Sequence, residues 1–147
     1  MDYHVALTQS LFAAAKSCFK DLDYYYFHNC PYENLWKDNE RRQETHLKTM
    51  SLFNKYNQTY KVIIVGDASM SPYELLFQGG SVEHMNEETG EVWLKRIVDY
   101  FPDLVWLNPL EKPQWQAQSI TMVNEIIDKR MFPLSIHGIS EAIGRLL

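Results

Sequence analysis

The stretch Tyr60-Lys61-Val62-Ile63-Ile64-Val65-Gly66-Asp67-Ala68-Ser69-Met70-Ser71-Pro72-Tyr73-Glu74 decides how this chain is read. Val62 to Val65 form a β-branched apolar run that stops at Gly66-Asp67. Short continuous runs of this kind suit strands buried on both faces, as in parallel sheets. Ser71-Pro72 suits a helix start, with serine at the cap and proline in the first turn. The stretch therefore predicts a buried parallel strand that delivers Asp67 to the carboxyl edge of an α/β sheet, where such folds hold ligands. Asp67, Ser69 and Ser71 bring one carboxylate and two hydroxyls to one turn, an all-oxygen set suited to Mg²⁺ or Mn²⁺.

The rest of the chain alternates helix and strand signals. Residues 4–20 read as a helix whose apolar face carries Val5, Leu7, Leu11, Phe12, Ala15 and Phe19. Asp21 to His28, rich in tyrosine, reads as a strand, followed by a turn at 29–32. Glu33 to Lys37 suits a short edge strand, and Asp38 to Glu44 is a charged loop. Thr49 to Tyr56 reads as a short helix, with Thr45 or Thr49 as its cap. Gly79-Gly80 ends the helix begun at Pro72, and residues 81–90 are a polar loop. Glu91 to Phe101 is amphipathic, with Val92, Trp93, Ile97, Val98 and Phe101 inward. Leu104 to Leu107 is a second buried strand, stopped by Asn108-Pro109. A helix over 119–130, a strand over 131–134 and a last helix opened by Ser135 or Ser140 complete the chain. This alternation predicts an α/β fold, a mostly parallel sheet with helices on both faces, in a single domain spanning residues 1–147.

Composition narrows the function classes. The net charge of −5 and the absence of a Lys/Arg stripe argue against nucleic-acid binding as the main task. No apolar run approaches the roughly 20 residues a membrane span needs, and the start carries no secretory pattern. Two cysteines, Cys18 and Cys30, make no disulfide framework and read as reduced thiols of a cytoplasmic protein.

Each candidate residue also has an ordinary reading. Asp67 after a strand can be a turn or capping aspartate. The buried strand before it, the close approach that Gly66 permits and the hydroxyls at 69 and 71 put metal binding ahead. Ser71 suits the helix cap, which leaves Ser69 the better ligand. Thr49 can cap its helix or reach the same sheet edge, and sequence favours the cap. Asn108 reads as an Asn-Pro turn and Glu74 as an exposed first-turn carboxylate. The histidines, His4, His28, His46, His84 and His137, show no zinc-ligand spacing. Cys18 reads as core, and Cys30 has weak support as a nucleophile.

Val65-Gly66-Asp67-Ala68-Ser69-Met70-Ser71-Pro72-Tyr73-Glu74-Leu75 resembles the fourth-strand signature of von Willebrand factor A (VWA) domains of the bacterial CoxE-like type. Val105-Trp106-Leu107-Asn108-Pro109, Trp115 and Arg130-Met131-Phe132-Pro133-Leu134 extend the likeness downstream, and Tyr26-Phe27-His28-Asn29-Cys30 with Tyr32 extends it upstream. The resemblance implies a Rossmann-like sheet with a metal-ion-dependent adhesion site built from three loops: an Asp-x-Ser-x-Ser loop, a Thr and an Asp. By order along the chain, Thr49 matches the second loop and Asp67 the third. The first strand and its loop have no counterpart, so the resemblance implies a VWA domain incomplete at its N-terminus. It also implies open strand edges and a homodimer or strand exchange that covers them.

The leading functional expectation is a non-enzymatic protein-interaction module. In such a module a partner carboxylate completes the coordination of Mg²⁺ or Mn²⁺ at Asp67, Thr49 and Ser69. The resemblance suggests a MoxR-type AAA+ ATPase as partner in protein maturation. The alternatives are a serine esterase-like hydrolase using the Gly66-Asp67-Ala68-Ser69 turn, with His137 as the late histidine, and a degenerate structural domain acting through an oligomeric interface.

Overall fold

The computed structural model describes residues 3–18, 21–81 and 85–147. In chain order the elements are α1 (Tyr3–Cys18), β1 (Asn34–Trp36), β2 (His46–Lys48), α2 (Leu52–Lys55), β3 (Val62–Val65), α3 (Pro72–Leu76), α4 (Gly90–Tyr100), β4 (Leu104–Asn108), α5 (Gln118–Ile126), β5 (Met131–Pro133) and α6 (Ile136–Leu146). Short 3₁₀ turns lie at Gln43–Thr45, Thr49–Ser51 and Lys112–Gln116. The result is a mixed α/β fold with two small sheets.

β4 is the axis of the larger sheet. All five of its residues are buried, and it pairs in parallel with β3 on one side and β5 on the other. Its alternating side chains divide the core in two. Leu104 and Trp106 join Ile64 against Leu75, Trp93, Leu94, Ile97, Ile120 and Val123 from α3, α4 and α5. Val105 and Leu107 face the other way, against Leu11 of α1 and Ala142 and Leu146 of α6. Helices thus cover both faces, which is why the strands read as continuous apolar runs.

α6 sits unusually close to the sheet. A Cβ built on Gly138 would lie 1.9 Å from the Pro133 carbonyl oxygen, so only glycine lets the helix start there. Ser135, one of the two residues expected to open this helix, is its cap and accepts from the Gly138 N–H at 3.0 Å.

The smaller sheet is the antiparallel pair β1–β2, with Leu35 opposite Leu47. The strand expected over Asp21 to His28 does not form. One antiparallel bridge joins Tyr26 to Trp36, and another links His28 to Cys30. Tyr25 and Phe27 send their rings against the larger core instead, and Asn29 turns the chain at a left-handed φ of 60°. Tyrosine-rich sequence here serves packing rather than a ladder.

Three further expectations are corrected. Val92 points outward at 41% exposure, and Leu94 takes the inward place at 0%. Helix α5 ends at Ile126 instead of reaching Arg130, because Asp128 and Lys129 both adopt left-handed φ of 58°. On the first helix, Leu7 and Leu11 are buried but Val5 is exposed. The side chains of Phe12, Ala15 and Cys18, together with Phe19 and His84, lie outside the described residues.

Candidate functional site

The loop after β3 is held by side chains from the strand and helix that follow it. The Trp106 indole Nε1 donates to the Gly66 carbonyl at 2.7 Å. The Asn108 amide donates to the Asp67 carbonyl at 2.8 Å. The Ser119 hydroxyl donates to the Ala68 carbonyl at 2.8 Å and accepts from the Met70 N–H at 3.0 Å. Three successive carbonyls are thereby satisfied by side chains of β4 and α5, in a segment that has left the sheet ladder. Ala68 lies at a φ of 58° and is 1% exposed, a conformation an alanine keeps only where its surroundings enforce it.

This clamp turns the Asp67 and Ser69 side chains outward; both residues are exposed. The Asp67 Oδ1 accepts from the Ser69 N–H at 2.9 Å, closing an Asx turn. Ser71 caps α3, accepting from the Tyr73 N–H at 3.3 Å, so of the two serines it is Ser69 whose hydroxyl stays clear of capping. Asn108 is wholly buried. It makes the expected turn, its Oδ1 accepting from the Leu110 N–H at 2.8 Å. Its amide meanwhile supports Asp67, a role that the Asn-Pro reading did not contain.

Thr49 is wholly buried and is not a helix cap. Its N–H donates to the Glu33 carbonyl at 2.8 Å, and its hydroxyl to the Tyr32 carbonyl at 2.5 Å. No hydrogen bond among the described residues joins it to Asp67 or Ser69. Thr45 does not cap either; its hydroxyl bonds the Asp38 carboxylate.

A second polar centre lies beneath α3. Glu74, expected on the surface, is 2% exposed. The Asn29 amide donates to both of its carboxylate oxygens at 3.2 and 3.1 Å, and the Tyr32 hydroxyl donates to its backbone carbonyl at 2.6 Å. Cys30 is buried alongside. Burial, and after it the charge of Glu74, pushes this thiol well above its ordinary value of 9.0. A thiol held neutral in this way is a packing residue and not an activated nucleophile. Tyr32 is driven up as well, by burial first and then by its neighbours Cys30, Glu74 and Glu33.

The donor chemistry at Asp67 and Ser69 suits a hard cation, but it supplies a single negative charge. Among the described residues no group of three or more His, Cys, Asp and Glu is placed to hold a metal ion. The fit is partial, and a cation here needs oxygens from elsewhere. For a hydrolase, Ser69 needs a neighbouring base; His137 sits on α6, 2.8 Å from Glu141. Two surface hollows, one bordered by Pro102, Arg130 and Arg145 and the other by Lys95, Thr121 and Glu125, do not include Asp67. The acidic turn is presented on a surface, outside both clefts. No helix among the described residues is long and apolar enough to cross a membrane. Comparisons with protein-family models, with curated proteins and with solved structures return no match.

Proposed function

We propose that this chain is a non-enzymatic protein-interaction module, VWA-like with a Rossmann-like sheet, that engages its partner through the Asp67 turn. The observation that carries this reading is the clamp on residues 66–70. A loop whose carbonyls are tied to Trp106, Asn108 and Ser119 presents Asp67 and Ser69 in a fixed arrangement, and preorganisation of this kind lowers the entropy cost of binding.

In this reading Mg²⁺ or Mn²⁺ sits against Asp67 and Ser69. Thr49 stands outside this set, wholly buried with its hydroxyl on the Tyr32 carbonyl. A partner carboxylate supplies the negative charge that the turn lacks. A MoxR-type AAA+ ATPase is the partner that the resemblance suggests, in maturation of another protein. The free, buried Cys30 accords with a reducing, cytoplasmic setting.

Calorimetric titration with Mg²⁺ and Mn²⁺, with Asp67→Ala as control, tests the proposal. Heat of binding in the native chain that disappears in the variant supports it. Equal titration of the two proteins, or none by either at millimolar metal, removes the metal from the reading.

A further inference from the structure

A second assembly of charges lies at the other end of the parallel sheet from the Asp67 turn. Helix α4 ends at Tyr100, just before β4 begins, and α5 ends at Ile126, just before β5. Arg130 ties these two helix ends together. Its Nε donates to the Ile127 carbonyl at 2.9 Å and its Nη1 to the Pro102 carbonyl at 2.6 Å. The chain reaches Arg130 through Asp128 and Lys129, both at a left-handed φ of 58°. Two such residues in succession are strained, and they persist only where the surroundings hold them. A hollow of about 430 Å³ opens beside the guanidinium. Asp99 of α4, Asp128, and Arg145 in the last turn of α6 border it, and Val98 and Pro102 give it an apolar wall. That volume lies in the range of roughly 300–1,000 Å³ usual for small-molecule sites, at its small end.

The charges around this hollow do not cancel one another. Among the described residues the side chains of Asp99, Asp128 and Arg145 enter no hydrogen bond and no ion pair, although all three border the same space. Arg130 donates to two neutral carbonyls, and its Nη2 makes no hydrogen bond within the described residues. Asp103, which also borders the hollow, is matched by Lys61 at 2.6 Å. Two guanidiniums and two carboxylates therefore surround one small space without pairing. A ligand with a single charge answers one set and leaves the other unmatched beside it. A zwitterion of amino-acid size answers both. Guanidinium N–H groups lie in one plane and suit a carboxylate, and aspartates suit an ammonium.

We infer that this hollow binds a free α-amino acid with an aliphatic side chain. Arg145 and the Nη2 of Arg130 take its carboxylate, Asp99 and Asp128 its ammonium, and Val98 and Pro102 its side chain. This goes beyond the metal-assisted reading and does not depend on it, because the hollow lies at the amino ends of β4 and β5 whereas Asp67 follows the carboxyl end of β3. Arg130 is already fixed by its two carbonyls. Asp99, Asp128 and Arg145 are exposed and must be ordered by the ligand, which holds the affinity to about the millimolar range.

NMR titration of the intact chain with L-leucine is the test, alongside isocaproate, which lacks the ammonium, and isoamylamine, which lacks the carboxylate. Leucine at millimolar concentration is expected to move the amide resonances of Asp99, Asp128 and Arg145, and each analogue to bind about tenfold more weakly. Arg145→Gln should weaken leucine about tenfold and narrow its advantage over isoamylamine. Asp128→Asn, which keeps a residue tolerant of the left-handed backbone, should instead narrow its advantage over isocaproate. If that variant fails to fold, Asp99→Asn, at an exposed position of α4, takes its place. No movement of these resonances with leucine, binding of either analogue as tight as that of leucine, or leucine binding unchanged in the folded variants would overturn the inference.

Discussion

Asn108, at the carboxyl end of the central strand, holds the backbone of Asp67 across 41 residues of sequence, its amide nitrogen 2.8 Å from the Asp67 carbonyl oxygen. The same side chain accepts from Leu110, so one buried amide ties together the loops that follow β3 and β4. Asn108→Ala strands a carbonyl and an N–H with no replacement. Each unsatisfied buried group costs about 1–3 kcal/mol, so a loss of about 2–4 kcal/mol in urea unfolding is expected. Ser119→Ala, which frees the Ala68 carbonyl and the Met70 N–H, should behave similarly. Both variants should also broaden the amide resonances of residues 66–70 more than those of β5.

Ala68 allows two effects to be weighed against each other. Its left-handed backbone costs about 1–2 kcal/mol for an L-residue, while its buried methyl contributes about 0.8 kcal/mol. Ala68→Gly removes both and should change stability by less than about 1 kcal/mol. Ala68→Val, a β-branched side chain at positive φ in a packed site, should cost about 2 kcal/mol or more. Urea midpoints of the two variants against the parent chain decide the matter.

Stability should fall on the alkaline side. In the folded chain Cys30 holds its proton well above its ordinary value of 9.0, whereas the unfolded chain releases it near there. Above that pH the unfolded state binds fewer protons than the folded state, and linkage then makes stability decrease as pH rises. The contribution is complete below about pH 9 and is lost progressively above it, with a limiting slope of about 1.4 kcal/mol per pH unit for the one thiol. Tyr32 adds to the decline from about one unit higher, its ordinary value being 10.0. Thermal melts between pH 7 and pH 10.5 should show this fall, and Cys30→Ala should delay its onset.

Gly138→Ala should be among the most damaging single-methyl additions. The new carbon would stand 1.9 Å from the Pro133 carbonyl oxygen, so α6 must lift from β5. A cost of about 3 kcal/mol is expected, at the upper end for overpacking. By contrast, a Cβ at Gly144 meets nothing within 4 Å. Gly144→Ala should therefore stabilise the helix by up to about 1 kcal/mol. Parallel thermal melts of the two variants test the contrast.

What could be read from the chain was what local pattern determines. Val62–Val65 and Leu104–Leu107 announced themselves because both faces of each strand are covered, and Ser71-Pro72 and Ser135 announced helix starts through capping chemistry. Asp67 and Ser69 came together as expected because they lie two residues apart on one turn. Residues whose roles depend on distant partners were not legible. Glu74 looks like a surface carboxylate until Asn29, 45 positions earlier, is folded against it. Thr49 looks like a cap until the Tyr32 carbonyl claims its hydroxyl. Ser119 and Trp106 gave no signal, since an ordinary helix serine and a core tryptophan differ from loop clamps only in where the third dimension puts a carbonyl.

The parallel strands lie side by side in the order in which they occur along the chain, β3, β4, β5. The consequence concerns synthesis. Each strand's neighbour in the sheet is the one made just before it, so sheet growth during synthesis requires no wait for distant sequence. Every edge formed on the way is soon occupied or capped, except the first. The outer side of β3 is made earliest, and no later described strand returns to it.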